Sequence, residues 1–313
     1  MAELTAEECG LVDGVPDMIH LRCSASIAQI ARKGAELRAL ELDGRTIIWT
    51  GDLEWWGYTS PILFPIVGRV RDGTIRVDGR QHQLDMHGFT RESHFAVIDQ
   101  TLSSARLRLT DTSVTRENYP FAFQFDVVFE LTESALTIRF QVSAGDTELP
   151  YALGYHPAFP WPTGPEQRSA YSVSFETAEA PRVEVFSANG LLTGRQRDVP
   201  KLGRSFALAD SLFDTGSALC YLRAQSRWLE LADWQGHVTR LTTTNFPHLA
   251  VWSKPGAPFV SLEAWTGHGD PEGFEGEFAA KPSIMFARPE HANHHTIVLS
   301  SRLDLETAAR ANE

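Results

Sequence analysis

Hydrophobic and polar residues alternate with period two along much of the chain. In "FAFQFDVVFELT", Phe121, Phe123, Phe125, Val127, Phe129 and Leu131 point one way. Ala122, Gln124, Asp126 and Glu130 point the other, with Val128 the exception. "ALTIRFQV" repeats this with Leu136, Ile138, Phe140 and Val142, and "ARLRLT" with Leu107 and Leu109. Such alternation predicts half-buried antiparallel strands. Asp43-Gly44 and Asp78-Gly79 sit between runs as hairpin turns, with Gln235-Gly236 a less typical third. Helical periodicity is scarce. The closing "SSRLDLETAARANE" predicts a short helix or a frayed tail from about residue 302.

These elements predict an all-β fold, a large antiparallel sandwich of two sheets face to face. No composition shift or repeat marks a boundary, so residues 1–313 read as a single domain. The chain is 42% hydrophobic and 22% charged, enough for a large core. Its net charge of −12 repels phosphate backbones, so no nucleic-acid partner is expected. No apolar run has the length of a membrane span, and "MAELTAEECG" does not resemble a signal peptide. Cys9, Cys23 and Cys220 are odd in number and far apart, which suggests neither a disulfide framework nor a metal site. A reducing cytoplasm is the expected location.

Four stretches place polar groups in apolar company. In "SPILFPIVGRVRDG", an extended backbone would put Val67, Arg69 and Arg71 on one face, either to bind hydroxyls or an anion or as a solvated strand face. "DMHGFTRESHF" carries His87 beside Gly88, with Arg91 nearby and His94 without supporting company. In "YALGYHPAF", Ala152, Gly154 and His156 would share a face, and Pro157 favours an extended His156. The small residues leave room for a ligand or suit close sheet packing. The histidine is a packed core residue or an acid or base held for work. In "PFVSLEAWTGHGD", Ser261, Glu263 and Trp265 share one face. An indole beside a carboxylate suits a sugar, which stacks on the ring and donates hydroxyls to the oxygens. The carboxylate could equally be a partly buried base, or an interior glutamate paired to an arginine. His87, His156 and Glu263 lack the spacing of a helix-borne zinc motif.

Taken in order, "SPILFPIVGRVRDG", "MHGFTRESHF", "LPYALGYHPAFPW", "ADSLFDTGSAL" and "NFPHLAVWSKPGAPFVSLEAWTGHGD" resemble the aldose 1-epimerase (galactose mutarotase-like) family, in its broad bacterial branch. They span about residues 55 to 270. The resemblance implies a β-supersandwich with an open sugar cleft and a monosaccharide substrate. It implies His156 as general acid and Glu263 as general base. It implies that His87 binds substrate and supports developing charge, and that Arg69 binds sugar hydroxyls. The "DSLF" word makes Asp210 a sugar-binding aspartate, with Asp214 close by. Ala264 stands where the family has proline after the glutamate, which loosens the expected orientation of Glu263.

The implied reaction interconverts α and β anomers through ring opening and closure. A base removes the anomeric hydroxyl proton while an acid protonates the ring oxygen. This chemistry needs no metal and no cofactor. It asks for an ionised Glu263 and a protonated His156, the latter supported by a carboxylate or a wet site. Two alternatives stay open: a hexose-6-phosphate 1-epimerase using Arg69, Arg71 and Arg91, and a sugar-binding protein without catalysis.

Overall fold

A computed structural model describes residues 11–12, 15–201, 203–215 and 218–303. Three antiparallel sheets account for most of it. The largest has nine strands, in spatial order Ala96–Gln100, Ser104–Thr110, Phe123–Leu131, Ala135–Ala144, Asn293–Leu303, His237–Thr244, Trp228–Ala232, Ser172–Phe175 and Ser205–Ala207. A six-stranded sheet is built around Phe259–Trp265, flanked by His248–Trp252 on one side and by Gly154–Tyr155 and Ala158–Pro160 on the other. Met18–Cys23, Ser26–Ala31, Glu36–Leu42 and Arg45–Thr46 form a four-stranded sheet. The chain is thus an antiparallel β-supersandwich with short helices at Ser113–Asn118 and Pro165–Ser169. Among the described residues, no helix is long and apolar enough to cross a membrane.

The alternation produces the core directly. Phe125, Val127, Phe129, Ile138, Phe140 and Val142 are buried in one cluster between the sheets. Phe125↔Val142, Val127↔Phe140 and Phe129↔Ile138 are cross-strand partners, so one residue of slip would turn every one of them outward. Asp126 departs from the pattern: it is buried, and Arg108 grips it with two hydrogen bonds of 2.6 and 2.7 Å. All three predicted turns join paired strands. Asp43 and Gly44 both have positive φ, as do Asp78 and Gly79, which is the geometry of a two-residue hairpin turn.

The closing segment differs from expectation. Ser300, Ser301, Arg302 and Leu303 continue the Asn293–Leu303 strand: Ser300 pairs with Ala135 on one side and Arg240 on the other, and Ser301, Arg302 and Leu303 pair with Thr239, Val238 and His237. Residues 304–313 lie outside the described residues.

Candidate active site

The six-stranded sheet holds the site. Gly154 pairs with Trp265, Tyr155 with Ala264, and Ala158 with Ser261, all in one register. That register sets His156 opposite Glu263, so their side chains leave the same face of the sheet. His156 Nε2 lies 3.4 Å from Glu263 Oε1. Pro157 interrupts the ladder at this point, and the His156 N–H donates instead to Pro61 on the other side, at 3.1 Å.

Glu263 is 1% exposed. The Trp265 indole N–H donates to its Oε2 at 2.9 Å, while Oε1 is buried without a hydrogen-bond partner among the described residues. One carboxyl oxygen is thereby fixed and the other left facing the imidazole. Ala264 does not loosen this arrangement. It is paired to Tyr155 on one side and Leu249 on the other, so the sheet and the indole orient Glu263 without a proline.

Burial pushes the Glu263 carboxyl up to about 8, with the Trp265 hydrogen bond opposing. Burial also drives the His156 imidazole well below its ordinary value, aided by nearby His87 and Arg91. The sequence suggests a carboxylate facing an imidazolium. The site instead favours the neutral form of each group, because little water reaches either one.

The rings of Trp56 and Trp252 lie 4.8 and 5.4 Å from that of His156. His87 meets His156 edge to face at 6.2 Å. The Gly68 N–H donates to His87 Nδ1 at 3.1 Å, and the His87 N–H donates to the Gly68 carbonyl at 2.9 Å. Nδ1 is therefore an acceptor, and the neutral ring carries its proton on Nε2. Loss of water around the ring, with Arg91 and Arg69 nearby, lowers His87 to about 3 and keeps it neutral.

His87 and Gly88 both have positive φ, and a Cβ on Gly88 would stand 2.2 Å from the Phe64 carbonyl oxygen. Gly88→Ala combines backbone strain with a clash against fixed main chain. We expect it to cost roughly 2–5 kcal/mol of stability, read as a lowered midpoint of denaturant unfolding.

The cleft over this pair measures about 370 Å³. His87, His156, Glu263, Trp265 and Arg69 all line it, as do Trp56, Trp252, Met86, Phe186, Ser187 and Thr215. The Arg69 guanidinium makes no hydrogen bond or ion pair among the described residues, and its stem lies against Gly190, where a Cβ would be 3.0 Å from Arg69 Cδ. Arg91 lines the cleft too, held by a 3.0 Å hydrogen bond to the Met86 carbonyl.

Four expectations are corrected. Arg71 does not join Arg69, because residues 66–70 are not a strand; it pairs with Glu275 at 2.8 Å, outside the cleft. Ala152 and Gly154 make no room for a ligand. A Cβ on Gly154 would meet Leu63 Cδ1 at 2.9 Å and Val67 Cγ2 at 3.0 Å, so the small residues serve sheet packing. Asp210 does not reach the cleft. Arg168 holds both its oxygens, at 3.0 and 2.5 Å, and the Gly256 N–H adds a third bond. Asp214 is exposed, and it is its neighbour Thr215 that reaches the cleft wall. Trp56 and Trp252 were not singled out by sequence reasoning. The doubled tryptophan at Trp55-Trp56 in a polar loop is the signal that could have pointed to the first.

A tryptophan-lined cleft with an imidazole–carboxyl pair, carried on an antiparallel supersandwich, defines a galactose mutarotase-like protein. The aldose 1-epimerase family matches residues 17–295, and the chain belongs to that family. It is 31% identical over 263 residues to the chromosomal protein LacX of Lactococcus lactis subsp. lactis, covering 80% of this chain and 87% of that one. A galactose mutarotase-like protein from Lactobacillus casei superposes with a TM-score of 0.85 at 26% identity, over 91% of this chain and all of the other. The galactose 1-epimerase of Lactobacillus acidophilus shares the fold, with a TM-score of 0.68 at 16% identity, over 91% of this chain and 94% of that one.

Proposed function

We propose that the cleft interconverts the α and β anomers of an aldohexose, with His156 and Glu263 as its acid–base pair. The observation that carries this reading is the partnerless Glu263 Oε1, held 3.4 Å from His156 Nε2 in an aromatic-walled cleft. The two oxygens of a hemiacetal share one carbon. Opening the ring therefore needs a base and an acid side by side, which a cross-strand pair supplies.

One proton shared by the pair suffices. The neutral pair first moves that proton from Glu263 Oε1 to His156 Nε2; Glu263 then takes the anomeric proton while His156 gives one to the ring oxygen. The aldehyde carbon turns, the ring closes on its other face, and the transfers reverse. His87 Nε2–H and the Arg69 guanidinium donate to sugar oxygens, and Trp265 offers an indole to an apolar sugar face. Every proposed site residue lies between Arg69 and Trp265 on one interleaved fold, which supports one functional domain. Glu263 is the only carboxylate among the described residues lining the cleft, which disfavours glycoside cleavage by paired carboxylates.

Polarimetry on freshly dissolved α-glucose tests the reading: accelerated decay of rotation is expected. Sugar binding without acceleration would make the protein a binder. Acceleration confined to glucose 6-phosphate would make it a sugar-phosphate epimerase, a reading for which Arg69 and Arg91, but not Arg71, remain in the cleft.

A further inference from the structure

Behind the cleft, Asp270 and Lys281 form an ion pair whose side chains are 5% and 1% exposed. The acid–base reading gives it no task. A buried ion pair is weak evidence for stability by itself, so its placement is informative. Asp270 brackets the Arg69–Val70–Arg71 segment. Its N–H donates to the Arg69 carbonyl at 2.8 Å, and its Oδ2 accepts from the Arg71 N–H at 2.9 Å. Its other oxygen is bound by Lys281 Nζ.

The Asp270 carbonyl accepts from the Leu192 N–H at 2.9 Å, which ties down the loop carrying Gly190. Gly190 is the surface on which the Arg69 stem lies. Gly269 completes the grip: a Cβ there would meet the Arg69 carbonyl oxygen at 3.1 Å and the Gly190 carbonyl oxygen at 3.4 Å. The Asp270 main chain thus spans the Arg69 backbone and the wall along which Arg69 extends, and its carboxylate, held by Lys281, adds the grip on the Arg71 N–H that Asp270→Ala removes.

We propose that Asp270, backed by Lys281, is a positioning residue that presents the Arg69 guanidinium to the sugar. The proposal rests on the reading of the cleft as a sugar site. It places Asp270 outside the proton-transfer machinery. Losing it should weaken binding of ground state and transition state alike, which raises KM and spares kcat.

The test uses the full chain with Asp270→Ala, Arg69→Ala and the double variant, read by amide hydrogen exchange and by polarimetry on glucose. Exchange over residues 66–71 should accelerate about tenfold in Asp270→Ala, while the Phe259–Trp265 strand keeps its protection. KM should rise about tenfold with kcat within about threefold. Adding Asp270→Ala to Arg69→Ala should raise KM no further, since one acts through the other. Unchanged exchange over 66–71 would overturn the proposal, as would a loss in kcat or a KM effect that multiplies with that of Arg69→Ala. If Asp270→Ala does not fold, Asp270→Asn carries the test. It keeps an acceptor for the Arg71 N–H but loses the charge facing Lys281, so a smaller effect of the same sign is expected. A wild-type protein silent on both glucose and glucose 6-phosphate would sink the epimerase reading, while the exchange arm would still decide the placement of the loop.

Discussion

Glu263→Gln should lower catalysed mutarotation by about 10²–10⁴-fold. The amide keeps the shape and an acceptor for the Trp265 indole, so the cleft should stay intact. What is lost is a group able to take and return the anomeric proton at Oε1. The pH profile checks the cause. The pair works while it holds one proton, and it titrates as a unit. On the alkaline side that proton leaves near the raised Glu263 value of about 8, so wild-type kcat/KM should fall through that region. Residual activity in Glu263→Gln should lack this limb. Folding supplies a second check. A carboxyl raised from 4.5 to about 8 stays protonated in the fold but ionises in the unfolded chain. Its effect on stability is most favourable below 4.5 and is lost as pH rises through 8. At pH 7 this costs on the order of 3 kcal/mol, which the amide avoids. Inactivity with undiminished thermal stability is the expected signature. Near wild-type rates in this variant would remove Glu263 from the mechanism.

His156→Asn should be comparably damaging, again by about 10²–10⁴-fold in kcat. Asparagine reaches less far into the cleft and cannot relay a proton at neutral pH. In the wild type, burial keeps His156 neutral well below its ordinary value, so the acid limb of the profile should lie below pH 6.5. A second proton enters the pair only there. His156→Asn should erase that limb in whatever activity remains. The two substitutions should not multiply when combined, because each disables the same transfer. Polarimetry on the single and double variants decides this.

The fold was legible where burial is set by local pattern. The strands at Phe123–Leu131 and Ala135–Ala144 and the Asp-Gly hairpins needed only their own neighbours to be read. Asp126 was not legible in this way. It occupies a solvent-type position and is buried under Arg108, a residue that only strand pairing brings near. The same limit governs the site. The words around His87, His156 and Glu263 mark the residues, and Arg69 and Trp265 join them in the cleft. Asp210 looked equally eligible, but its partner Arg168 lies 42 positions away and claims both oxygens. Gly154 looked like an opening until Leu63 and Val67 filled it. The protonation preference of the pair was out of reach as well, because it depends on water excluded by Trp56 and Trp252, from other parts of the chain.

The cross-strand register of His156 and Glu263 also bears on how the protein gains its activity during folding. The two residues are more than a hundred positions apart, and no local turn joins their strands. Neither half of the pair can meet the other until the central ladder closes, and such distant pairings form slowly. In refolding, sugar turnover should therefore appear with completion of that ladder rather than with the early hairpins, so that activity itself reports a long-range step of assembly.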